Sequence, residues 1–146
     1  MKNRRQHNAG FTLIEIMIVV EIIGIIVAIG LPQMLRARVQ SNEMGAVTSL
    51  RAILDAQISY HTANNEYASE ISELTSATPP FLNGDWDGPR AGYNFEMQGT
   101  PNNFTALANP ESPGVSGFRG YYVDPSGIIR YALSAKAGPD STALGS

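Results

Sequence analysis

Between Gly10 and Pro32 the sequence runs GFTLIEIMIVVEIIGIIVAIGLP, almost wholly aliphatic, yet Glu15 and Glu21 stand inside it and no basic residue does. Phe11 to Leu31 is 21 residues, which in a helix rising about 1.5 Å per residue cover roughly the 30 Å hydrocarbon core of a bilayer. Fifteen of them are Phe, Leu, Ile, Val or Met. Such residues favour insertion by roughly 0.3 to 0.6 kcal/mol each, about 5 to 9 in total, and two ionised carboxylates near the centre would offset about 5 to 7 of that. The balance is near zero. A segment of this kind settles in lipid only if each carboxylate lies near an interface, is protonated, or is paired.

The flanks set the orientation. The leader MKNRRQHNAG holds Lys2, Arg4, Arg5 and His7 and no acid, so its net charge of about +3 keeps it cytoplasmic under the positive-inside rule. Arg36 and Arg38 beyond the span weaken that bias without reversing it. A secretory signal would have a shorter apolar core followed by a small-residue cleavage site. Here the small-residue boundary beside the apolar run is Gly10-Phe11, on the charged side. A cut there keeps the span and frees an amine on Phe11.

A short basic leader ending in Gly10, then Phe11-Thr12-Leu13-Ile14-Glu15, then an aliphatic run with Gly24 and Pro32, resembles the N-terminal signature of type IV prepilins and of the related type II secretion pseudopilins. The close resemblance covers residues 2 to 32; beyond them it is one of layout. It implies cleavage after Gly10 by a prepilin peptidase that also acts as N-methyltransferase, methylation of the Phe11 amine, and polymerisation of the chain into a helical fibre by inner-membrane assembly machinery. It also implies that Glu15 pairs with the N-terminal amine of an adjacent subunit.

That role has independent physical sense. An amine on Phe11 is the cation available at that depth, and an unpaired carboxylate in an apolar medium is costly, so assembly that joins the two relieves a strain present in the lipid-embedded chain. The alternative for Glu15 is an interfacial carboxylate that snorkels to water. Glu21 is six positions on, about 240° around the helix, where the family usually has a small or apolar residue. Its candidate partners are Arg36 or Arg38 of a subunit displaced along the fibre, or a proton. Pro32 lacks a backbone donor and crowds the carbonyl of Ala28. A bend in a continuous helix is expected for a solitary protomer; the resemblance implies loosening between Gly24 and Pro32 on assembly.

From Leu35 onward apolar or small residues fall at Val39, Ala46, Val47, Leu50, Ile53, Leu54 and Ile58, the spacing of a helix with one buried stripe, while Arg36, Arg38, Glu43, Arg51 and Asp55 take the other faces. A helix over 33–62 should therefore continue the first. ANNEYASEISEL then breaks the pattern at Asn64 and Asn65 and predicts a short helix through Ile71 and Leu74, capped by Ser69 or Ser72. After the Pro-, Gly- and Asp-rich loop TSATPPFLNGDWDGPRAG, strands are predicted over 92–98, 102–110, 117–124 and 127–135, the last two joined by a DPSG turn. The fold class is α+β: a long N-terminal helix, half apolar and half amphipathic, packed on an antiparallel sheet of three or four strands. The expected layout is a cleaved leader 1–10, a membrane or fibre-core helix 11–32, a head 33–136 and a loose tail 137–146.

Composition fits an exported structural protein. Without the leader, seven basic residues face thirteen acidic ones, and Arg90, Arg119 and Arg130 are read as scattered solvated arginines, so nucleic-acid binding is not indicated. There is no cysteine, hence no disulfide, in contrast to many type IV pilins, whose C-terminal loop is closed by one. Enzymatic motifs are missing: no nucleophile elbow, P-loop or dinucleotide fingerprint. His61 reads as structural. No zinc set exists, and Asp85 and Asp87 in NGDWDG resemble calcium ligands without the full loop, so no metal or cofactor is assigned. Phe81, Trp86 and Tyr93 read as loop anchors or subunit contacts, and Asn103-Phe104-Thr105 is a sequon inside a predicted strand. The expected role is a type IV pilus subunit for adhesion, twitching or DNA uptake, inserted in the inner membrane with its N-terminus in the cytoplasm and then extracellular. The alternatives are a type II secretion pseudopilin in a periplasmic fibre, or a membrane-anchored binding domain that does not polymerise.

Overall fold

The computed structural model describes residues 10–133 and 136–145. The leader up to Ala9, the last two residues of the fourth expected strand and Ser146 of the tail lie outside them. Two units make up the chain, Met1–Arg36 and Ala37–Ser146, and one helix, α1 (Leu13–Asn64), contributes to both. The two helical segments expected from the sequence are thus a single helix, with Pro32 inside it.

In the first unit α1 carries the aliphatic run. It is long and apolar enough to cross a membrane, with a mean hydropathy of 2.7 over 18 residues and none of that window buried. Ile18, Val19 and Ile22 are each about half exposed. A helix that is apolar on every side has no inward face of its own; its apolar surface is matched by lipid or by other helices.

In the second unit α1 buries Ala46, Val47, Leu50, Ile53 and Leu54 as the spacing predicts. Val39 is only half-buried, and two positions are reversed outright. Ile58, expected in the stripe, is half exposed, whereas Glu43, expected on the solvent face, is buried. Residue 43 lies three before Ala46 and four before Val47, so helical geometry puts it on the core side whatever its charge. Gln57 is buried for the same reason, in register with Leu50, Ile53 and Leu54. Its amide donates to the Ala68 carbonyl at 2.9 Å and accepts from the Ala68 N–H at 2.9 Å.

Helix α2 (Ile71–Ser76) forms where expected, but its N-cap is Glu70, without a side-chain capping bond. The proposed cap Ser69 instead donates its N–H and hydroxyl to the Glu73 carboxylate at 2.9 and 2.7 Å. A carboxylate in the first turn accepts two donors at once and also suits the helix dipole.

The sheet is an antiparallel meander in chain order: β1 (Tyr93–Thr100), β2 (Asn103–Pro110), β3 (Arg119–Val123), β4 (Arg130–Leu133) and β5 (Thr142–Ala143). Alternation decides the inner face. Tyr93, Met97, Phe104, Ala106 and Ala108 are buried between exposed or half-buried neighbours. Register sets large against small, Phe95 opposite Ala108 and Met97 opposite Ala106, and these residues join Leu50, Ile53, Tyr121 and Val123 of α1 and β3 in one core. Gly99 leaves room for close backbone approach: a Cβ there would collide with the Ala68 carbonyl oxygen.

The sheet has five strands rather than three or four, and the segment expected to be loose supplies the fifth. Thr142 and Ala143 pair with Tyr131 and Arg130, the Leu144 N–H donates to the Ile129 carbonyl at 2.8 Å, and Arg130 Nη1 donates to the Ser141 carbonyl at 3.1 Å. Ala137 is buried. Backbone pairing therefore holds the C-terminal segment in a chain that has no cysteine.

Candidate functional site

The residues singled out in the sequence run from Gly10, just before α1, to Pro32 inside it, with Thr12 and Glu15 brought together at its start. Gly10 is exposed, and Phe11 is 84% exposed, so the peptide bond between them is open to a processing enzyme. The helix begins at Leu13, which makes Thr12 the preceding cap position and Glu15 the third helical residue. Thr12 donates its N–H to Glu15 Oε2 at 2.8 Å and its hydroxyl to the same oxygen at 2.7 Å, while the Glu15 N–H donates to Thr12 Oγ1 at 3.3 Å. This is a reciprocal capping box, which satisfies helix-end donors that would otherwise lack a partner within the chain. The T-x-x-E spacing announces it in the sequence, and the reading of Glu15 as a bare carboxylate overlooked it.

Glu21 differs. Among the described residues no hydrogen bond or ion pair reaches its carboxylate, and the two salt bridges, Arg119 with Glu43 and Lys136 with Glu96, lie far along the chain. Around Gly24 space is open: a Cβ added there would meet nothing within 4 Å. Pro32 remains inside the helix without ending it.

The head holds a separate polar node. Glu43 Oε1 accepts the Phe118 N–H at 3.0 Å and Oε2 lies 3.7 Å from Arg119 Nη1. Beside it Asn42 donates to the Ser116 carbonyl at 2.9 Å. Two adjacent helix residues thus clamp the loop between β2 and β3. Tyr93 donates its hydroxyl to the Arg119 carbonyl at 2.9 Å, and a Cβ on Gly117 would run into that hydroxyl. Burial first, and the Glu43 carboxylate second, push both the Tyr93 and Tyr121 phenols above their usual range. Burial, then Asp124, does the same to Tyr122. These phenols stay neutral and serve as packing with a satisfied polar end.

The remaining candidates are structural. Asp85 Oδ1 accepts the Asp87 N–H at 3.0 Å, a turn contact, and among the described residues no group of three or more His, Cys, Asp or Glu could hold a metal ion. His61 stacks near Tyr67 with ring centroids 4.4 Å apart. Phe81 meets Tyr60 edge to face and Trp86 meets Phe95 likewise. Tyr93, read as a loop anchor or subunit contact, is instead wholly buried in the core. The three arginines are separately employed: Arg90 lies 4.2 Å over the Trp86 ring, Arg119 bridges Glu43 and covers Tyr131, and Arg130 holds the tail.

Residues 5–31 match the model of the prokaryotic N-terminal methylation motif. The chain is similar to the type IV major pilin protein PilA of Myxococcus xanthus, 42% identical over 67 residues that make up 46% of this chain and 30% of that protein. It is similar to the type IV wide pilus major component PilA4 of Thermus thermophilus, 39% identical over 67 residues, 46% of this chain and 51% of that protein. A longer stretch resembles the type II secretion system core protein G of Escherichia coli, 29% identical over 110 residues, 72% of this chain and 74% of that protein. The matches to the two pilins thus span about a third and a half of their lengths. No solved structure matches the chain.

Proposed function

From the methylation motif over residues 5–31 and the likeness to type IV pilins, we propose that the chain is a structural subunit of a type IV pilus, inserted in the inner membrane and then assembled as a homopolymer into an extracellular helical fibre. A prepilin peptidase cuts between Gly10 and Phe11 and methylates the Phe11 amine. Residues 1–10 are the leader, 11–32 the membrane and later fibre-core segment, and 33–136 the head. The observation that carries this reading is the capped Glu15: an oriented carboxylate, four residues from the new amine, at the head of a helix whose apolar surface is uncovered. Lipid covers that surface before assembly and neighbouring subunits cover it afterwards, while the amine of one subunit meets the Glu15 carboxylate of the next.

The test is Glu15→Ala in the producing cell. We expect the variant to fractionate with membranes as wild type does while sheared surface fibres, viewed by electron microscopy, are absent or greatly reduced. Normal fibres from that variant would overturn the assembly role. Mass spectrometry of fibre protein should find a methylated Phe11 at the N-terminus; Met1 on exported protein would overturn the processing reading.

One observation favours a second reading. The longest of the three matches, over 110 residues or 72% of this chain, is to a type II secretion core protein, so a periplasmic pseudopilus subunit is the alternative. Fibres recovered by surface shearing from otherwise unmodified cells support the pilus; this chain confined to the periplasmic fraction supports the pseudopilus.

A further inference from the structure

The two carboxylates of the apolar segment stand in opposite states. Glu15 takes two donors from Thr12 of its own chain through a single oxygen, Oε2. Glu21 takes none among the described residues, and no basic residue lies between Gly10 and Leu35 that a chain could fold back to it. An ionised group held in an apolar medium without a partner is strongly disfavoured, so where Glu21 keeps its charge its partner comes from another molecule. The helix face around Glu21 can admit one. Gly24 and Ala28 follow it at three and seven positions, hence on the same side. A side chain on Gly24 would have met nothing within 4 Å, and small residues spaced four apart let a second helix come close.

Resting on the reading of the chain as a processed and methylated fibre subunit, we propose that Glu21 is a second acceptor for the Phe11 ammonium, supplied by another copy of this chain than the one that engages Glu15. The chemistry of the amine allows it. A primary ammonium has three N–H donors; one methyl group leaves two, and the positive charge is kept. One N–H goes to Glu15 of one neighbour and the other to Glu21 of a second. The geometry separates the two neighbours. Six residues set the carboxylates about 9 Å apart along the helix and about 240° around it, so one helix cannot present both to the same nitrogen. Each ammonium therefore ties three chains together, and the two contacts fix two different axial offsets. Such head-to-tail contacts do not close on themselves and extend into a helical filament.

The experiment uses intact fibres grown from a mixture of cells' chains, one population labelled with 15N at phenylalanine and the other with 13C at glutamate. Solid-state NMR should show the Phe11 amine nitrogen near two carboxyl carbons of other chains. In Glu21→Gln fibres, with glutamine 13C-labelled as well as glutamate, one of those contacts should pass to an amide carbon while the other is unchanged. Glu21→Ala should lower the yield of sheared fibre by about tenfold, the scale of one lost charge-assisted hydrogen bond, with membrane insertion retained. A single carboxyl contact in wild-type fibres, or Glu21→Ala fibres as abundant as wild type, overturns the proposal and leaves the Glu15 contact standing. Fibres that retain an unprocessed N-terminus overturn the underlying functional reading as well.

Discussion

The two halves of α1 have the same backbone and opposite environments. Residues 13–31 are apolar on all sides, and Phe11, Leu13 and Ile14 remain 65% exposed or more; residues 46–54 are apolar on one side, and Ala46, Leu50 and Ile53 are wholly buried. The first half carries no internal packing and takes its stability from whatever surrounds it. The second is held by a core that it shares with the sheet. Helical propensity does not explain the contrast, since the first half, dominated by Ile and Val, is made of weaker helix formers than the second and is helical all the same; the difference lies in whether the apolar residues recur at helical spacing or fill nearly every position. One chain thus combines a part complete in itself with a part that requires company.

A matched pair of truncations should show the difference at its largest. Phe104→Ala removes a buried ring from the head core and should cost about 3 to 5 kcal/mol in thermal unfolding of the detergent-solubilised chain. Ile18→Ala, in the exposed half, should leave the same transition unmoved. An equal loss from both would mean that the two halves unfold as one.

Smaller in effect is Glu43→Ala, which strips the partner from the Phe118 N–H and the Arg119 guanidinium. It should destabilise the head by about 1 to 3 kcal/mol, with Glu43→Gln recovering part because its amide oxygen still accepts. Urea titration of both variants checks the order. A neutral result would mean that water serves the loop as well as the carboxylate does.

The smallest effect is one of pH. Tyr93 and Tyr121 have phenols raised by burial and by Glu43, so the unfolded chain loses these protons first. Above about pH 10, the ordinary phenol value, the unfolded state binds fewer protons than the folded one and stability falls as pH rises. Below that value these phenols contribute no slope. Melting curves between pH 8 and 11 should show the head weakening only in the upper part of that range, and replacing Tyr93 or Tyr121 by Phe should flatten the decline.

Much of this organisation could be read from residue order. The apolar run, its length and the stripe through Leu50 gave the helix; alternation through Tyr93, Met97, Phe104 and Ala106 gave the strands. Residue type outweighed position at Glu43, expected on the solvent face, and at Gln57, absent from the expected buried stripe: both sit on the buried spacing, and the donors at Phe118 and Ala68 explain their burial. Strand β5 escaped because Thr142-Ala143 is two residues long, too short for any alternation, and its existence depends on partners in β4. At the candidate site, the T-x-x-E spacing of Thr12 and Glu15 carried the signal of a capping pair, but attention to the charge of Glu15 hid it. The isolation of Glu21 is a property of three-dimensional surroundings.

The margins of the sheet bear on how copies can meet. On one side the last strand is only two residues long. On the other, β1 is shielded where the Gly99 N–H donates to the Ser69 carbonyl at 2.9 Å and where Arg90 and Tyr93 exchange backbone bonds. Sheets grow from chain to chain by offering long rows of unpaired backbone groups, and these borders offer little. The head is therefore poorly suited to templating a runaway β-ribbon, and a crowded population of these chains is steered towards contact through side chains.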